Sequence, residues 1–209
     1  MHEGERLNAI THLAGLVLAL VGTAVLLVVA SPHGARRTIA LGVYGGMLVV
    51  LYLSSTLYHS IRGPAKKLFH IFDHCSIYLL IAGTYTPLTI VMMRGTWGWS
   101  IFAVVWSLAV AGVVKDAMFP GRYRPASVVL YVLMGWTIVV AMTPLRKVLP
   151  PDGVAWLFAG GVIYTAGIVF FALSRRVLHM HGVWHLFVVG GSAAHYFVVL
   201  RYIAMAPAH

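Results

Sequence analysis

The chain has 209 residues, of which 60% are hydrophobic and 10% are charged, and its mean hydropathy is +0.88. Soluble domains carry about 25% charged residues, so this composition excludes an ordinary soluble globular protein. The formal net charge of +10 would suggest nucleic-acid binding in a soluble protein. Here the lysines and arginines cluster in short loops, as residues that fix membrane topology do. No nucleic acid is therefore expected as a partner.

Seven apolar stretches without Asp, Glu, Lys or Arg follow one another along the chain, at residues 7–35, 38–61, 74–93, 95–114, 125–145, 153–174 and 177–200. Each is long enough to cross the hydrocarbon as a helix, which needs about 20 residues. The first stretch is longer than the apolar region of a signal peptide, about 7–15 residues, so we expect a retained helix. The sequence predicts an all-α membrane protein, a seven-transmembrane helix bundle that occupies residues 1–209 as a single domain.

The positive charges predict which way the bundle is inserted. Seven spans place the N-terminus and three loops on one side, with nine lysines and arginines: Arg6, Arg62, Lys66, Lys67, Lys115, Arg122, Arg124, Arg175 and Arg176. The other side carries six: Arg36, Arg37, Arg94, Arg146, Lys147 and Arg201. The positive-inside rule therefore predicts a cytoplasmic N-terminus and an outer C-terminus.

Polar residues stand where three of these stretches begin or end. The second stretch ends with Ser55-x-x-x-His59, Asp73 opens the third, and His181-x-x-x-His185 lies near the start of the last. A four-residue spacing places both members of a pair on one helical face. With the predicted topology these side chains lie about 5–14 Å inside the nearest loop charge, at 1.5 Å per residue, and so share one layer.

Imidazole and carboxylate in one layer indicate a metal site, and this ligand set suits zinc. His59, His181 and His185 would supply three nitrogen ligands and leave a fourth position for water, which is typical of catalytic zinc. Asp73 would orient that water or accept its proton, and the Ser55 hydroxyl would bond the water or a developing oxyanion.

Other residues of the same region are excluded from the ligand set or have no assigned role. His12 of the first helix joins the layer, whereas His195 lies some 28 Å beyond Arg176 and is too distant. His74 points about 100° away from Asp73 around the helix and is left out of the ligands.

Each pair alone also has a structural interpretation. Histidines at a membrane interface commonly bond headgroups or water, a serine in a membrane helix commonly bonds its own backbone, and Asp73 could pair with Lys66 or Lys67. The metal hypothesis depends on three helices bringing such groups to one depth. Ionisable groups in a bilayer are costly and persist when they are paired, hydrated or functional.

The motifs in combination resemble the hemolysin III family, which is related to the progestin and adipoQ receptors and to the alkaline ceramidases. They are Ser55-x-x-x-His59, Asp73, His181-x-x-x-His185 and a motif at the start of the chain, Glu5-x-x-Asn8-x-x-Thr11-His12. The resemblance spans nearly the whole chain and implies a multi-pass protein of the bacterial plasma membrane. It also implies a zinc ion held by the three histidines, with Asp73 and Ser55 near its water.

Three functions remain open at this stage. The leading expectation is a zinc-dependent membrane hydrolase that acts on a lipid amide or ester, with membrane lipids as its partners. The second is a non-enzymatic protein whose zinc is structural or sensory, in membrane homeostasis. The third is a hemolysin-like cytolysin, since some bacterial members of the family have been given that role. Glu5, Asn8 and His12 are expected to support the site rather than to ligate the metal.

Overall fold

The computed structural model describes residues 3–122 and 124–207, and within these residues it contains helices and short turns but no strand. Seven helical spans in this part of the chain are long and apolar enough to cross a membrane: Arg6–His33, Ala35–Ser60, Ala65–Met93, Gly95–Met118, Arg124–Val148, Pro151–Leu173 and Met180–Ala204. The predicted seven-transmembrane helix bundle is confirmed. The direction of insertion stays a prediction from the loop charges.

Eight α-helices build the seven spans. They are α1 Arg6–Ala30, α2 Ala35–Ser60, α3 Ala65–Pro87, α4 Gly95–Met118, α5 Arg124–Trp136, α6 Met142–Val148, α7 Pro151–Leu173 and α8 Met180–Val198. Neighbours in sequence pack against each other, and α1 also packs against α8. The starts of α1, α3 and α8 and the end of α2 therefore meet at one end of the bundle, which we call the N-terminal end.

A tight turn joins α2 to α3 at this end. α2 stops at Ser60, and Gly63 adopts φ +84°, a left-handed conformation that glycine reaches without steric cost. Pro64 follows directly before the first residue of α3. Because only residues 61–64 separate the two helices, the last turn of α2 stays close to the first turns of α3.

The fifth span is interrupted near its middle. α5 ends at Trp136, a 3₁₀ segment follows at Thr137–Ala141, and α6 completes the span. Backbone groups freed inside a bilayer need a protein partner because no bulk water is available there. The Tyr85 hydroxyl supplies it, accepting from the Ile138 amide at 2.9 Å and donating to the Gly135 carbonyl at 2.8 Å.

Candidate metal centre

Three histidines from two helices form a cluster at the N-terminal end of the bundle. His59 lies in the last turn of α2, and His181 and His185 lie on successive turns at the start of α8. Each offers one ring nitrogen such that the three atoms lie within 4.8 Å of one another. The ring centroids are 4.7–5.1 Å apart. His59 and His185 are buried and His181 is half-buried, so the cluster could hold a metal ion away from bulk water.

Four ring nitrogens of this cluster have no hydrogen-bond partner among the described residues. His59 Nδ1 and Nε2, His181 Nε2 and His185 Nε2 are all buried without a hydrogen bond to any described residue. A buried polar atom left unsatisfied costs about 1–3 kcal/mol, so three adjacent imidazoles in this condition need a common explanation. A cation that accepts their lone pairs provides one, and the residues present fit a metal ion of the zinc type.

The backbone of α1 selects the tautomer of His185. Its Nδ1 lies 3.1 Å from the Asn8 carbonyl oxygen and 3.4 Å from the Thr11 hydroxyl. A carbonyl only accepts, so Nδ1 carries the proton and donates it. The lone pair is thereby left on Nε2, the unpartnered nitrogen of this ring. Metal-bound histidines are commonly held in this way by a partner behind the ring.

Asp73 and Ser55 lie beside each other next to the cluster. Asp73 is 6% exposed in the third turn of α3, and Ser55 is fully buried one turn before His59. The Ser55 hydroxyl lies close enough to the Asp73 carboxyl to interact with it. Asp73 is not one of the residues whose ligand atoms lie within 4.8 Å of each other. The pair therefore borders the histidine cluster without belonging to it.

Two other histidines lie outside the cluster. The ring of His74 packs on His70, with centroids 4.4 Å apart. His195 Nε2 donates to the Leu157 carbonyl at 3.0 Å. Neither residue is among the three histidines whose ligand atoms converge.

Sequence reasoning left His12 and Glu5 without a specific role, and both contact the cluster. His12 stacks on His185 with centroids 3.6 Å apart and planes inclined by 11°. Glu5 Oε1 lies 4.0 Å from His59 Nδ1. The spacing of these residues indicates that they share a site, because Glu5, Asn8 and His12 follow an i, i+3, i+7 pattern that puts them on one face of a helix.

An apolar cavity of about 150 Å³ lies between α3, α5, α7 and α8. Trp184 forms part of its wall and also contacts the cluster, its ring centroid lying 5.0 Å from His181 and 5.2 Å from His185. Phe171 likewise faces the cavity and lies 6.1 Å from His181 between ring centroids. The polar side chains of His74 and Arg124 line the cavity as well. The cavity and the histidine cluster thus share a wall.

Comparison with known proteins shows the family. A family model described as "Haemolysin-III related" matches residues 2–196. The chain is 46% identical over 201 residues to Hemolysin-3 of Bacillus cereus, covering 95% of this chain and 91% of that protein. It is 40% identical over 205 residues to the Hemolysin-3 homolog of Bacillus subtilis (strain 168), covering 97% and 96%.

A more distant relative is the human Monocyte to macrophage differentiation factor. The identity is 28% over 206 residues, covering 96% of this chain and 84% of the human protein. Seven apolar spans and these bacterial relatives make the protein a multi-pass integral protein of the bacterial plasma membrane. The chain belongs to the haemolysin III-related family.

Proposed function

We propose that this protein is a zinc-dependent membrane hydrolase that cleaves an amide or ester bond in a lipid. The observation that carries the proposal is the shared wall between the histidine cluster and the apolar cavity, formed by Trp184. A metal centre next to an apolar cavity inside a bilayer suits a substrate whose reactive bond is polar and whose remainder is hydrocarbon.

His59, His181 and His185 would hold the zinc. Three protein ligands with room for a fourth are typical of catalytic rather than structural sites. When bound, zinc acts as a Lewis acid that activates water at neutral pH. Each of these residues has at least one buried nitrogen without a partner in the described residues, which supports metal binding, and the low exposure of His59 and His185 supports tight binding.

Asp73 would handle the proton of the reaction. As a buried carboxylate next to the cluster it would accept a proton from the attacking water, as general base. The same carboxyl would return that proton to the leaving nitrogen or oxygen when the carbonyl carbon breaks its bond to it. The Ser55 hydroxyl, which lies beside the Asp73 carboxyl, would donate to the oxygen that becomes negative at the carbonyl.

The cavity would receive part of the acyl chain. An apolar cavity of about 150 Å³ is large enough to hold a benzene-sized group, so it accommodates a segment of a chain rather than a whole lipid. Its lining is mostly aliphatic and aromatic, as expected of a site that binds hydrocarbon. A lipid would reach it from within the bilayer.

The first test combines metal content with lipid turnover in protein purified in mild detergent. We expect about one zinc per chain and hydrolysis of at least one member of a panel of lipid amides and esters. Asp73→Asn should retain the zinc and lose about 10²–10⁴-fold in turnover, the usual contribution of a general base. Asp152→Asn is the matched control, because that carboxylate is bonded to Tyr202 at the opposite end of the bundle.

The outcomes separate the competing functions. A zinc-loaded wild type that cleaves nothing in the panel, and whose stability falls when a histidine is removed, would favour the structural or sensory alternative. Permeabilisation of vesicles by added protein, independent of Asp73, would favour the cytolysin. A folded protein without metal would exclude the zinc hydrolase.

Filling the cavity tests the lipid part of the proposal. Gly135 faces the cavity, and a Cβ built there meets no atom within 4 Å, so Gly135→Met should extend into the empty space without a clash. We expect turnover of long-chain substrates to fall while the zinc is retained. Gly46→Met is the control, because Gly46 has equal space but is not part of the cavity lining.

A further inference from the structure

The motif at the start of the chain, Glu5-x-x-Asn8-x-x-Thr11-His12, has no part in the hydrolysis proposed above. Glu5 ends the 3₁₀ turn before α1, and the other residues of the motif lie in the first two turns of α1, which pack on the first turns of α8. Gly182 makes the close approach possible, since a Cβ there would lie 2.5 Å from the Leu7 side chain and 3.0 Å from Asn8 Oδ1. The motif is thus held directly behind the histidine cluster.

Glu5 is anchored on one side and faces the cluster on the other. Lys66 Nζ donates to both carboxylate oxygens at 2.8 Å and to the Tyr58 carbonyl at 3.0 Å. Glu5 Oε1 lies 4.0 Å from His59 Nδ1, which is beyond hydrogen-bond distance but within the range of an electrostatic contact. A carboxylate at this position favours the His59 tautomer that carries its proton on Nδ1 and leaves the lone pair of Nε2 for a metal.

His185 is fixed by two different contacts from α1. The Asn8 carbonyl receives its Nδ1 proton at 3.1 Å. The ring of His12 covers its face at a centroid distance of 3.6 Å, and His12 in turn meets the edge of the Tyr52 ring at 5.1 Å. The hydrogen bond selects the tautomer, and the stacked ring restricts rotation of the imidazole about its side-chain torsions.

We propose that the start of the first span orients the metal centre: Glu5, directly before α1, and the Asn8 carbonyl and His12, within α1, fix the tautomers and ring planes of His59 and His185 and thereby set the affinity for zinc. None of these groups is a ligand. The inference rests on the metal site of the proposed function, and it is independent of whether the protein cleaves a lipid.

The test of Glu5 measures zinc affinity by competition with a chromophoric chelator. Glu5→Gln should weaken zinc binding about 10–100-fold, the usual loss when a partner behind a metal-bound histidine is removed. Lys66→Gln removes the anchor of Glu5 but keeps the carboxylate, so it should weaken zinc binding less than Glu5→Gln does. Equal weakening in both variants would assign Glu5 a purely structural role through Lys66 and would overturn the proposal.

The test of His12 separates its ring from its nitrogens. His12→Phe keeps a flat ring over His185 and should retain most of the affinity, whereas His12→Ala removes the stack and should weaken binding. The absorption spectrum of the cobalt-substituted protein should keep the intensity of a three-histidine site in both variants, because no ligand is lost. Equal affinities in His12→Ala and wild type, or equal weakening in His12→Phe and His12→Ala, would overturn the stacking role.

Failure of this inference is distinguishable from failure of the proposed function. Wild type that binds no zinc contradicts the proposed function. Wild type that binds zinc, with folded Glu5→Gln and His12→Ala variants that bind it equally well, contradicts only the role of α1. Thermal unfolding of each variant without metal shows whether a lower zinc affinity results from a destabilised fold.

Discussion

His185 and His195 lie ten residues apart on α8, both inside the bundle, and they have opposite surroundings. His185 is fully buried among other imidazoles, and its Nε2 has no partner in the described residues. His195 lines the cavity, and its Nε2 donates to the Leu157 carbonyl at 3.0 Å. Burial of a histidine in a membrane helix therefore does not by itself indicate a metal site.

The difference lies in what the neighbouring helices present. Around His185, α2 and α1 bring two further imidazoles and a backbone acceptor, so one nitrogen is satisfied and the other is left free. Around His195, α7 brings a backbone carbonyl and Gly160, whose missing side chain makes room for the ring. The surroundings of His185 bring several imidazole nitrogens close together. The surroundings of His195 give one ring nitrogen a hydrogen bond and pack against the ring.

The largest expected effect is on metal binding. His185→Gln should lower zinc affinity by at least about 100-fold, because loss of a ligand exceeds the 10–100-fold typical of losing a partner behind one. His195→Gln should leave zinc stoichiometry and affinity unchanged. Elemental analysis after gel filtration measures both. Zinc loss in the His195 variant, with its fold intact, would contradict the contrast drawn between the two histidines.

A smaller effect is expected where His195 packs on α7. A Cβ at Gly160 would lie 2.3 Å from the His195 ring, a clash that requires the ring or the helix to move. Gly160→Ala should destabilise the fold by about 1–3 kcal/mol, as overpacking usually does. Gly161→Ala is the matched control, since its nearest atom lies at 3.8 Å. Unfolding in mixed micelles measures the difference, and equal stability of the two variants would show that α7 and α8 are not tightly packed here.

Much of the fold and of the site follows from local rules. Seven charge-free stretches correspond to seven spans because a charge is costly in hydrocarbon and a helix needs a fixed length to cross it. The convergence of His59, His181 and His185 follows from their positions near the ends of spans that must meet at one side of the bundle. These predictions needed only periodicity, span order and ligand chemistry.

Other features depend on tertiary contacts that no local pattern encodes. The bond from His185 to Asn8 uses a backbone carbonyl, which every residue possesses, so the sequence gives no sign of it. The break after Trp136 is stabilised by Tyr85, a residue of another helix. The sequence also does not predict the polar contacts deeper in the bundle. Tyrosine is counted as hydrophobic in the composition, although its buried hydroxyl needs a hydrogen-bond partner.

The smallest expected effect concerns one of those deeper contacts. Ser192 of α8 accepts from the Tyr52 hydroxyl at 2.8 Å and shares a hydrogen bond of 2.7 Å with Tyr164, so it links α2, α7 and α8. Ser192→Ala should cost about 0.5–1.5 kcal/mol per lost bond and leave zinc affinity unchanged. Ser54→Ala is the control, because within the part of the chain that the structure describes the Ser54 hydroxyl donates to backbone carbonyls of its own helix. The Ser192 variant changes no proposed ligand and no α1 residue that contacts one. Loss of zinc in this variant would therefore show that the deeper polar group and the histidine cluster act as one unit. Unchanged zinc content with a modest loss of stability would place the chemistry at the N-terminal end of the bundle alone.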